Sequence, residues 1–188
     1  PFELPGYDYL GWNGSKAPFG DPDVRRALTL AINREALVED LLFGFGRVSN
    51  GPLPTSWWGA ARDREPWPYD PERARRILAE KGFTDAAALE LELLTNSGNS
   101  MRENMLVKIQ EQLSRIGVRV DVRPIEPRAL RQQAASGEYD GVLGGGVFQI
   151  EDLESIFGSR YQPPHGVNVV FYEAAEVDAL LEGLDRVP

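Results

Sequence analysis

The chain has 188 residues, 42% of them hydrophobic, and a formal net charge of −9 at pH 7. Its length suffices for one well-buried core, so we expect a single domain over residues 1–188. Nucleic-acid affinity comes mostly from clustered Lys and Arg, so the acidic balance argues against a nucleic-acid partner. The absence of cysteine excludes disulfides, thiolate catalysis and Cys-type zinc sites. No apolar run approaches the roughly 20 residues that a transmembrane helix needs.

Two amphipathic helices are predicted to begin at Asp-Pro pairs. Asp21 can accept hydrogen bonds from the free N–H groups of a helix, and Pro22 suits its first position because that amide needs no partner. Asp70 and Pro71 repeat this arrangement, and Gly82 is expected to end the second helix. Apolar residues at helical spacing extend the first helix through residue 32. They are Val24, Ala27, Leu28, Ala31 and Ile32.

A strand–helix–strand unit is predicted in the middle of the chain. Residues 89–94 alternate Leu with Glu, which is the period of a strand with one buried face. A helix follows, with Ser100 and Glu103 expected to form a capping box and Gly117 expected to end it. Residues 118–123 alternate again. This order predicts a right-handed parallel crossover, and hence an α/β fold with a mixed central sheet and helices on its faces.

The last third of the chain predicts two helices separated by a strand. The first helix runs from Pro127 to about Ser136 and ends at Gly137, and the strand covers residues 139–143. The final helix covers about residues 176–183. Its inward residues are expected to be Val177, Leu180, Leu181 and Leu184. A long ordered loop over residues 44–68 contains Trp57, Trp58 and Trp67, and we expect the first two to be core or pocket wall.

Several sequence blocks occur in a characteristic order. They are PFGDPDVRRALTLAINRE at residues 18–35, YDPERARRILAEKGF at residues 69–83, IQEQLSRIGVRVDV at residues 109–122 and GEYDGVLGGG at residues 137–146. In their residues and their order these blocks resemble the family 5 extracellular solute-binding proteins, which serve peptide and nickel ABC importers. The resemblance covers nearly the whole chain.

The resemblance implies a two-lobed protein of the periplasmic-binding-protein type II fold. Family members are much longer, with one lobe built from both ends of the chain and a second lobe inserted between them. This chain resembles the second lobe, with a hinge strand near residues 7–13 and the other lobe absent. The implied function is capture of a peptide-like or other small polar solute outside the cytoplasmic membrane, by a free periplasmic or lipid-anchored protein. A monomer without cofactor would then deliver the solute to an ABC permease.

The glycine tract after residue 143 is the candidate ligand site. Three glycines placed where a strand is expected to end would let the backbone approach a ligand or an anion; a tight turn is the alternative. Open α/β sheets bind ligands beyond the carboxyl ends of their strands. In peptide-binding relatives this region lines the cleft between the lobes. The predicted ligand-binding residues are Gly144, Gly145, Gly146, Val147, Phe148 and Gln149.

This segment departs from the pattern of peptide-binding relatives. They tend to carry a Trp in the turn and, three residues later, an Asp whose carboxylate meets the peptide's α-ammonium. An alignment without gaps places Gly146 and Gln149 at these two positions. A neutral amide cannot supply a charge-assisted bond to an ammonium group. The resemblance therefore implies a neutral or hydroxylated solute, such as a sugar, or a modified peptide, and not a free-amine peptide bound in the usual way.

Other candidate chemistry is weaker. Glu151, Asp152 and Glu154 are interpreted as the acidic first turn of a helix, with a metal or acid–base site as the alternative. His165 is the single histidine and lies in a Pro-rich loop, so neither a metal site nor a catalytic residue is predicted. The alternative function is a stand-alone α/β enzyme or ligand-sensing module that uses carboxylate, Ser or Tyr side chains.

Overall fold

Strands and helices alternate along most of the chain. The computed structural model describes residues 6–49, 51–53, 65–147 and 152–184. The elements are β1 Gly6–Trp12, α1 Pro22–Leu30, α2 Arg34–Leu42, α3 Pro71–Glu80, β2 Glu90–Asn96, α4 Ser100–Ser114, β3 Arg119–Ile125, α5 Pro127–Ser136, β4 Gly141–Val147, α6 Asp152–Phe157, a 3₁₀ turn Ser159–Tyr161 and α7 Ala175–Leu184. The predicted α/β fold class is confirmed.

The four strands form one mixed sheet in the order β1-β4-β2-β3. Strands β4, β2 and β3 are parallel, whereas β1 is antiparallel to β4. The β2–α4–β3 unit is the predicted parallel crossover. Strands β2 and β4 pair over a short distance, at Leu93 with Gly141 and at Leu94 with Val142. The first strand of the chain thus lies at one edge of the sheet, beside the last strand.

Asp-Pro pairs start two helices, as predicted. Asp21 Oδ1 accepts from the N–H of Asp23 at 2.8 Å, and Asp70 Oδ1 accepts from the N–H of Arg73 at 2.9 Å. The first helix is shorter than predicted, because α1 ends at Leu30. A new helix, α2, begins after Asn33, whose side chain accepts from the N–H of Ala36 at 2.9 Å. Ala31 and Ile32 are buried in the connection between the two helices.

The predicted capping box at Ser100 is wrong by one residue. Asn99 caps α4, accepting from the N–H of Arg102 at 3.2 Å, and Glu103 accepts from the N–H of Gly98 at 2.8 Å. Asn caps a helix as well as Ser does. Gly98 has a φ of 83°, which turns the chain so that its N–H reaches Glu103. Ser100 is consequently the first residue of the helix and not its cap.

The final helix buries less of its surface than predicted. Leu181 is buried, but the side chain of Leu180 is 72% exposed. The prediction that Leu180 points inward is therefore wrong, because α7 contacts its neighbour α6 through a narrower stripe than the sequence suggests. The side chain of Leu184 and the residues Trp57, Trp58, Phe148, Gln149 and Glu151 lie outside the described residues.

Apolar residues pack on both faces of the sheet. The larger cluster joins β1, β2 and β4 to α1, α3 and α4. Its best-buried members include Phe19, Leu28, Leu93, Leu106 and Leu143. A smaller cluster on the opposite face contains Leu94, Ala134, Tyr139 and Val142. None of the described helices is long and apolar enough to cross a membrane.

Candidate functional site

The glycine tract lies inside β4 and not beyond its end. Gly144 pairs with Tyr9, Gly145 with Asp8 and Gly146 with Tyr7, and the strand continues to Val147. Both the expected strand end before the tract and the tight turn are therefore wrong. Strand β1 supplies an antiparallel partner that extends the strand, and this long-range pairing leaves no local signal in the sequence.

Side chains packed over β4 explain why glycine occupies these positions. A Cβ on Gly145 would lie 2.6 Å from Arg102 Nη2 and 2.7 Å from the backbone oxygen of Tyr7. A Cβ on Gly144 would lie 3.2 Å from the hydroxyl oxygen of Tyr9. Successive strand residues face opposite sides of a sheet. Each face of the tract is therefore covered by a neighbouring side chain, tightly at Gly145 and more loosely at Gly144.

One edge of the glycine tract is open. On the side away from β1, the pairing of β4 with β2 ends at Val142. Within the described residues, no ladder partner follows on that edge between Gly144 and Val147. An open strand edge can accept an extended peptide as an additional strand. This end of β4 thus offers backbone donors and acceptors to a ligand.

A half-buried ion pair closes one face of the sheet beside this edge. Arg102 Nε donates to Asp8 Oδ1 at 2.8 Å, and Arg102 Nη1 donates to Asn96 Oδ1 at 3.0 Å. The Arg102 and Asp8 side chains are 18% and 22% exposed. The negative charge of the Asp8 carboxylate is consequently balanced by Arg102 within the protein.

The opposite face of β1 borders a cavity of about 670 Å³. Its far wall is formed by residues 156–173. Aromatic rings make up much of the lining, and they include Tyr7, Tyr9, Phe157 and Tyr172. Cavities of roughly 300–1,000 Å³ with mostly apolar walls and a few polar groups are typical small-molecule sites. A more open depression of about 730 Å³ lies between α4 and β3 and lacks such an aromatic lining.

The hydroxyls of Tyr7 and Tyr9 are neutral at physiological pH. Burial, with a smaller contribution from Tyr9, raises the pKa of Tyr7 to about 12. Burial also raises the pKa of Tyr9, and the positive charge of Arg102 partly offsets this. The two rings meet edge to face with centroids 6.2 Å apart. Together they form a surface of aromatic carbon with phenol groups that can donate or accept.

A buried amide helps to hold the far wall in place. Asn168 is fully buried, and its Nδ2 donates to the backbone oxygens of Gly158 at 3.1 Å and Tyr172 at 2.8 Å. Its Oδ1 accepts from the N–H of Tyr172 at 3.0 Å. Asp178 of α7 accepts from the N–H and hydroxyl of Ser159, and these bonds lower the pKa of Asp178. Hydrogen bonds therefore join the two ends of the wall to each other, and they join the wall to α7.

Two formally charged side chains line the cavity. Arg25 Nη1 donates to the backbone oxygens of Phe19 at 2.6 Å and Gly20 at 3.0 Å, and no described carboxylate pairs with it. Glu173 is exposed at the cavity and has no partner among the described residues. The cavity thus holds one positive and one negative group that remain available for a ligand.

The other candidate residues stay outside this cavity. Asp152 and Glu154 occupy the first turn of α6, as interpreted from the sequence, and Glu154 pairs with Arg160. His165 is exposed in its loop. In the described part of the chain, no three or more His, Asp or Glu side chains are grouped so that they could hold a metal ion.

Sequence reasoning missed most of the cavity lining, including Tyr7, Tyr9, Arg25 and Glu173. The one local signal is the alternation in YDYLGW, which places two tyrosines on the same face of a strand. Arg25 and Glu173 are far apart in sequence, and no local pattern connects them.

Relatives of known function cover the chain almost completely. The oligopeptide-binding protein AppA of Bacillus subtilis is 34% identical over 191 residues, which cover 94% of this chain and 35% of AppA. The glutathione-binding protein GsiB of Salmonella typhimurium is 32% identical over 183 residues, which cover 91% of this chain and 35% of GsiB. The chain therefore spans about 35% of the length of these relatives.

Solved structures agree with the sequence comparison. AppA of Bacillus subtilis in complex with a nonapeptide superposes with a TM-score of 0.89 at 32% identity, covering 98% of this chain and 39% of AppA. DppA of Helicobacter pylori in complex with the peptide STSA gives a TM-score of 0.88 at 25% identity, covering 97% of this chain and 36% of DppA. Residues 2–167 match the family described as bacterial extracellular solute-binding proteins, family 5 Middle. As its ordered sequence blocks predicted, the chain belongs to the family 5 bacterial extracellular solute-binding proteins.

Proposed function

We propose that this chain is one lobe of the substrate-binding component of an ABC importer. It captures a peptide-like or other small polar solute outside the cytoplasmic membrane and delivers it to a membrane permease. The observation that carries the proposal is the aromatic cavity of about 670 Å³, in a fold that matches AppA solved with a nonapeptide. The whole chain, residues 1–188, acts as a single lobe of a monomer, with β1 as the hinge strand.

The ligand-binding surface has two parts. The end of β4, from Gly144 to Val147, offers its open backbone edge, and Phe148 and Gln149 follow it along the chain. The cavity beside β1 offers aromatic rings and neutral hydroxyls. A solute seated against both parts is enclosed when a second lobe closes over it, and the permease recognises this closed state.

Binding without catalysis is the expected activity. A binding protein needs a cleft whose closure depends on the ligand, and it needs no reactive group. The lobe alone has one wall of that cleft, so we expect it to bind solute at millimolar affinity or weaker, because drug-sized ligands bury roughly 70–90% of their surface in their sites.

The test uses the two-lobed protein that contains this chain. The protein is unfolded, dialysed and refolded to remove carried-over solute, and isothermal titration then compares short peptides and oligosaccharides. At least one class should bind with micromolar affinity, and Tyr9→Phe should weaken that binding by about 2- to 10-fold because a neutral hydrogen bond is lost. Tyr69→Phe, at a partly exposed position away from the cavity, is the matched control. Failure of both classes to bind, or turnover of a bound solute, would contradict the proposal.

A further inference from the structure

Two phenylalanines just after α2 are the most exposed large apolar side chains among the described residues. Phe43 is 79% exposed and Phe45 is 95% exposed, and Gly44 lies between them. We call residues 43–45 the aromatic tip. Soluble monomers seldom group large apolar side chains in water, and where they do, the group usually marks a contact surface. The aromatic tip is therefore a candidate interface.

The backbone of the aromatic tip adopts a conformation that is unusual for phenylalanine. Phe43 has a φ of 51° and Gly44 a φ of 74°, both in the left-handed region. A helix often ends in this conformation, but the residue is then usually Gly or Asn, and a bulky side chain there is an outlier. The N–H of Phe45 donates to the backbone oxygen of Leu42 at 2.8 Å, which fixes the turn. Ending the helix does not require an aromatic ring at this position, so the strain points to another role.

Contacts between α2 and α4 show which end of the sheet the aromatic tip approaches. At the start of α2, the N–H of Asn33 donates to Gln112 Oε1 at 2.6 Å, and near its end Asp40 pairs with Lys108 at 2.7 Å. Helix α2 therefore runs from the end of α4 towards its beginning. Helix α4 begins at Ser100, just beyond the carboxyl end of β2, and β2 is parallel to β4. The aromatic tip thus lies towards the end of the sheet that carries the open edge of β4.

The chain also leads directly from the aromatic tip to the cavity. Gly51 and Pro52 follow the tip after five residues and line the cavity beside β1. A short segment therefore connects the exposed rings to the proposed binding surface. This connection links the aromatic tip to the side of the lobe on which a solute would be enclosed.

The charge around the aromatic tip indicates the kind of partner. Glu39 is exposed, and its Oε2 would lie 3.5 Å from a Cβ on Gly44. The whole chain carries a formal net charge of −9. An anionic membrane surface attracts clustered Lys and Arg, so this acidic surrounding disfavours a lipid partner. An apolar protein surface fits the two rings better.

We infer that the aromatic tip packs against the opposing lobe when the two-lobed protein closes over a solute. The inference rests on the proposed function, and it adds a contact surface that lies outside the solute site. The chain spans only about 35% of AppA and GsiB, so an opposing lobe belongs to the proposed protein. Hinge closure brings the ligand-binding ends of two lobes together. Burial of the two rings then favours the closed state and strengthens the binding of any enclosed solute.

The experiment titrates the two-lobed protein with tripeptides and trisaccharides as probes, using Phe43→Asn, Phe45→Ser and the double variant. Asn tolerates the left-handed conformation, so the midpoint of urea unfolding should not fall. The double variant should bind each probe that binds the unmodified protein about 10- to 100-fold more weakly, because the closed state loses the burial of two rings. Small-angle X-ray scattering at one fixed probe concentration should show a larger radius of gyration. Val107→Ser, at a 55% exposed position beside the depression between α4 and β3, is the matched control.

Unchanged affinity in the double variant overturns the inference and leaves the solute-binding function intact. If that variant binds normally but no longer stimulates ATP hydrolysis by the reconstituted importer at saturating probe, the tip contacts the permease instead. If ultracentrifugation shows a dimer that the double variant loses while its affinity is unchanged, the tip contacts a second copy. An equal loss of affinity in Val107→Ser also contradicts the inference. If no probe binds the unmodified protein, the proposed function fails as well. If the double variant is destabilised, Phe45→Ser alone decides the result.

Discussion

The two faces of β1 serve different purposes. On one face Asp8, Leu10 and Trp12 contact the α4 side of the sheet, where the ion pair to Arg102 is made and Trp12 stacks on Phe19 with centroids 5.6 Å apart. On the other face Tyr7 and Tyr9 border an open cavity. One seven-residue strand thus contributes to stability through one set of side chains and to recognition through the alternate set.

The difference lies in how completely the polar groups are satisfied. On the closed face the charged groups of Asp8 and Arg102 pair with each other, Trp12 is buried in the core and Leu10 packs against that core. On the open face the two charged groups have no charged partner in the described chain, and most of the wall is a loop that follows the end of α6 and a 3₁₀ turn. Substitutions on the closed face should therefore lower stability, whereas substitutions on the open face should change binding.

The largest effect is expected for a core leucine on the closed face. Leu106 of α4 is fully buried, so Leu106→Ala should lower the free energy of unfolding by about 2–5 kcal/mol through lost burial and the resulting cavity. Val167→Ala, at a 58% exposed position of the cavity wall, should change it by less than about 0.5 kcal/mol. Urea unfolding measures both. Equal losses would show that the cavity wall belongs to the core.

A sharper version of the comparison uses neighbouring glycines on opposite faces of β4. Gly145→Ala should lower the free energy of unfolding by about 1–3 kcal/mol, because the new Cβ would lie 2.7 Å from the rigid backbone oxygen of Tyr7. Gly144→Ala should cost less than about 1 kcal/mol, since the nearest atom is the hydroxyl of Tyr9, at 3.2 Å, at the end of a side chain that can move. Urea unfolding of the two variants measures both changes in the free energy of unfolding. A larger decrease for Gly144→Ala than for Gly145→Ala would contradict the assignment of faces.

The smallest effect concerns the pKa of Tyr7. Because burial raises this pKa from 10.0 to about 12, the folded state favours the neutral phenol. The resulting stability is fully present below pH 10.0 and is lost as the pH rises towards about 12. Its size should stay below about 1 kcal/mol because solvent screens a half-exposed group. Thermal unfolding between pH 9 and about 11.5 should show a shallower decline for Tyr7→Phe than for the unmodified protein.

Local signals in the sequence predicted most of the helices and the parallel unit. The Asp-Pro starts at Pro22 and Pro71 are confirmed, and Gly117 and Gly137 end their helices at φ values of 84° and 73°. These features depend on a few adjacent residues, so the sequence contains the information directly. The break before α2 was missed because the apolar spacing continues across it, although Asn33 is a good cap.

The candidate site could be predicted only in part. The sequence predicts a ligand-binding role for the glycine tract, and this role stays a prediction; the place of the tract inside a strand depends on pairing with β1 across more than 130 residues. The cavity brings together Tyr7, Arg25 and Glu173, which no spacing rule relates. Side chains from distant segments meet only after the chain has folded, so their chemistry cannot be seen in a local pattern.

The buried amide of Asn168 also determines how a solute meets this surface. Its three hydrogen bonds to Gly158 and Tyr172 fix a stretch of chain that lacks regular ladders, and they do so before any ligand is present. The cavity wall is therefore a template that does not need to be ordered by the solute. The conformational entropy of this wall is lost when the protein folds. Ordering the wall therefore takes little from the free energy of binding.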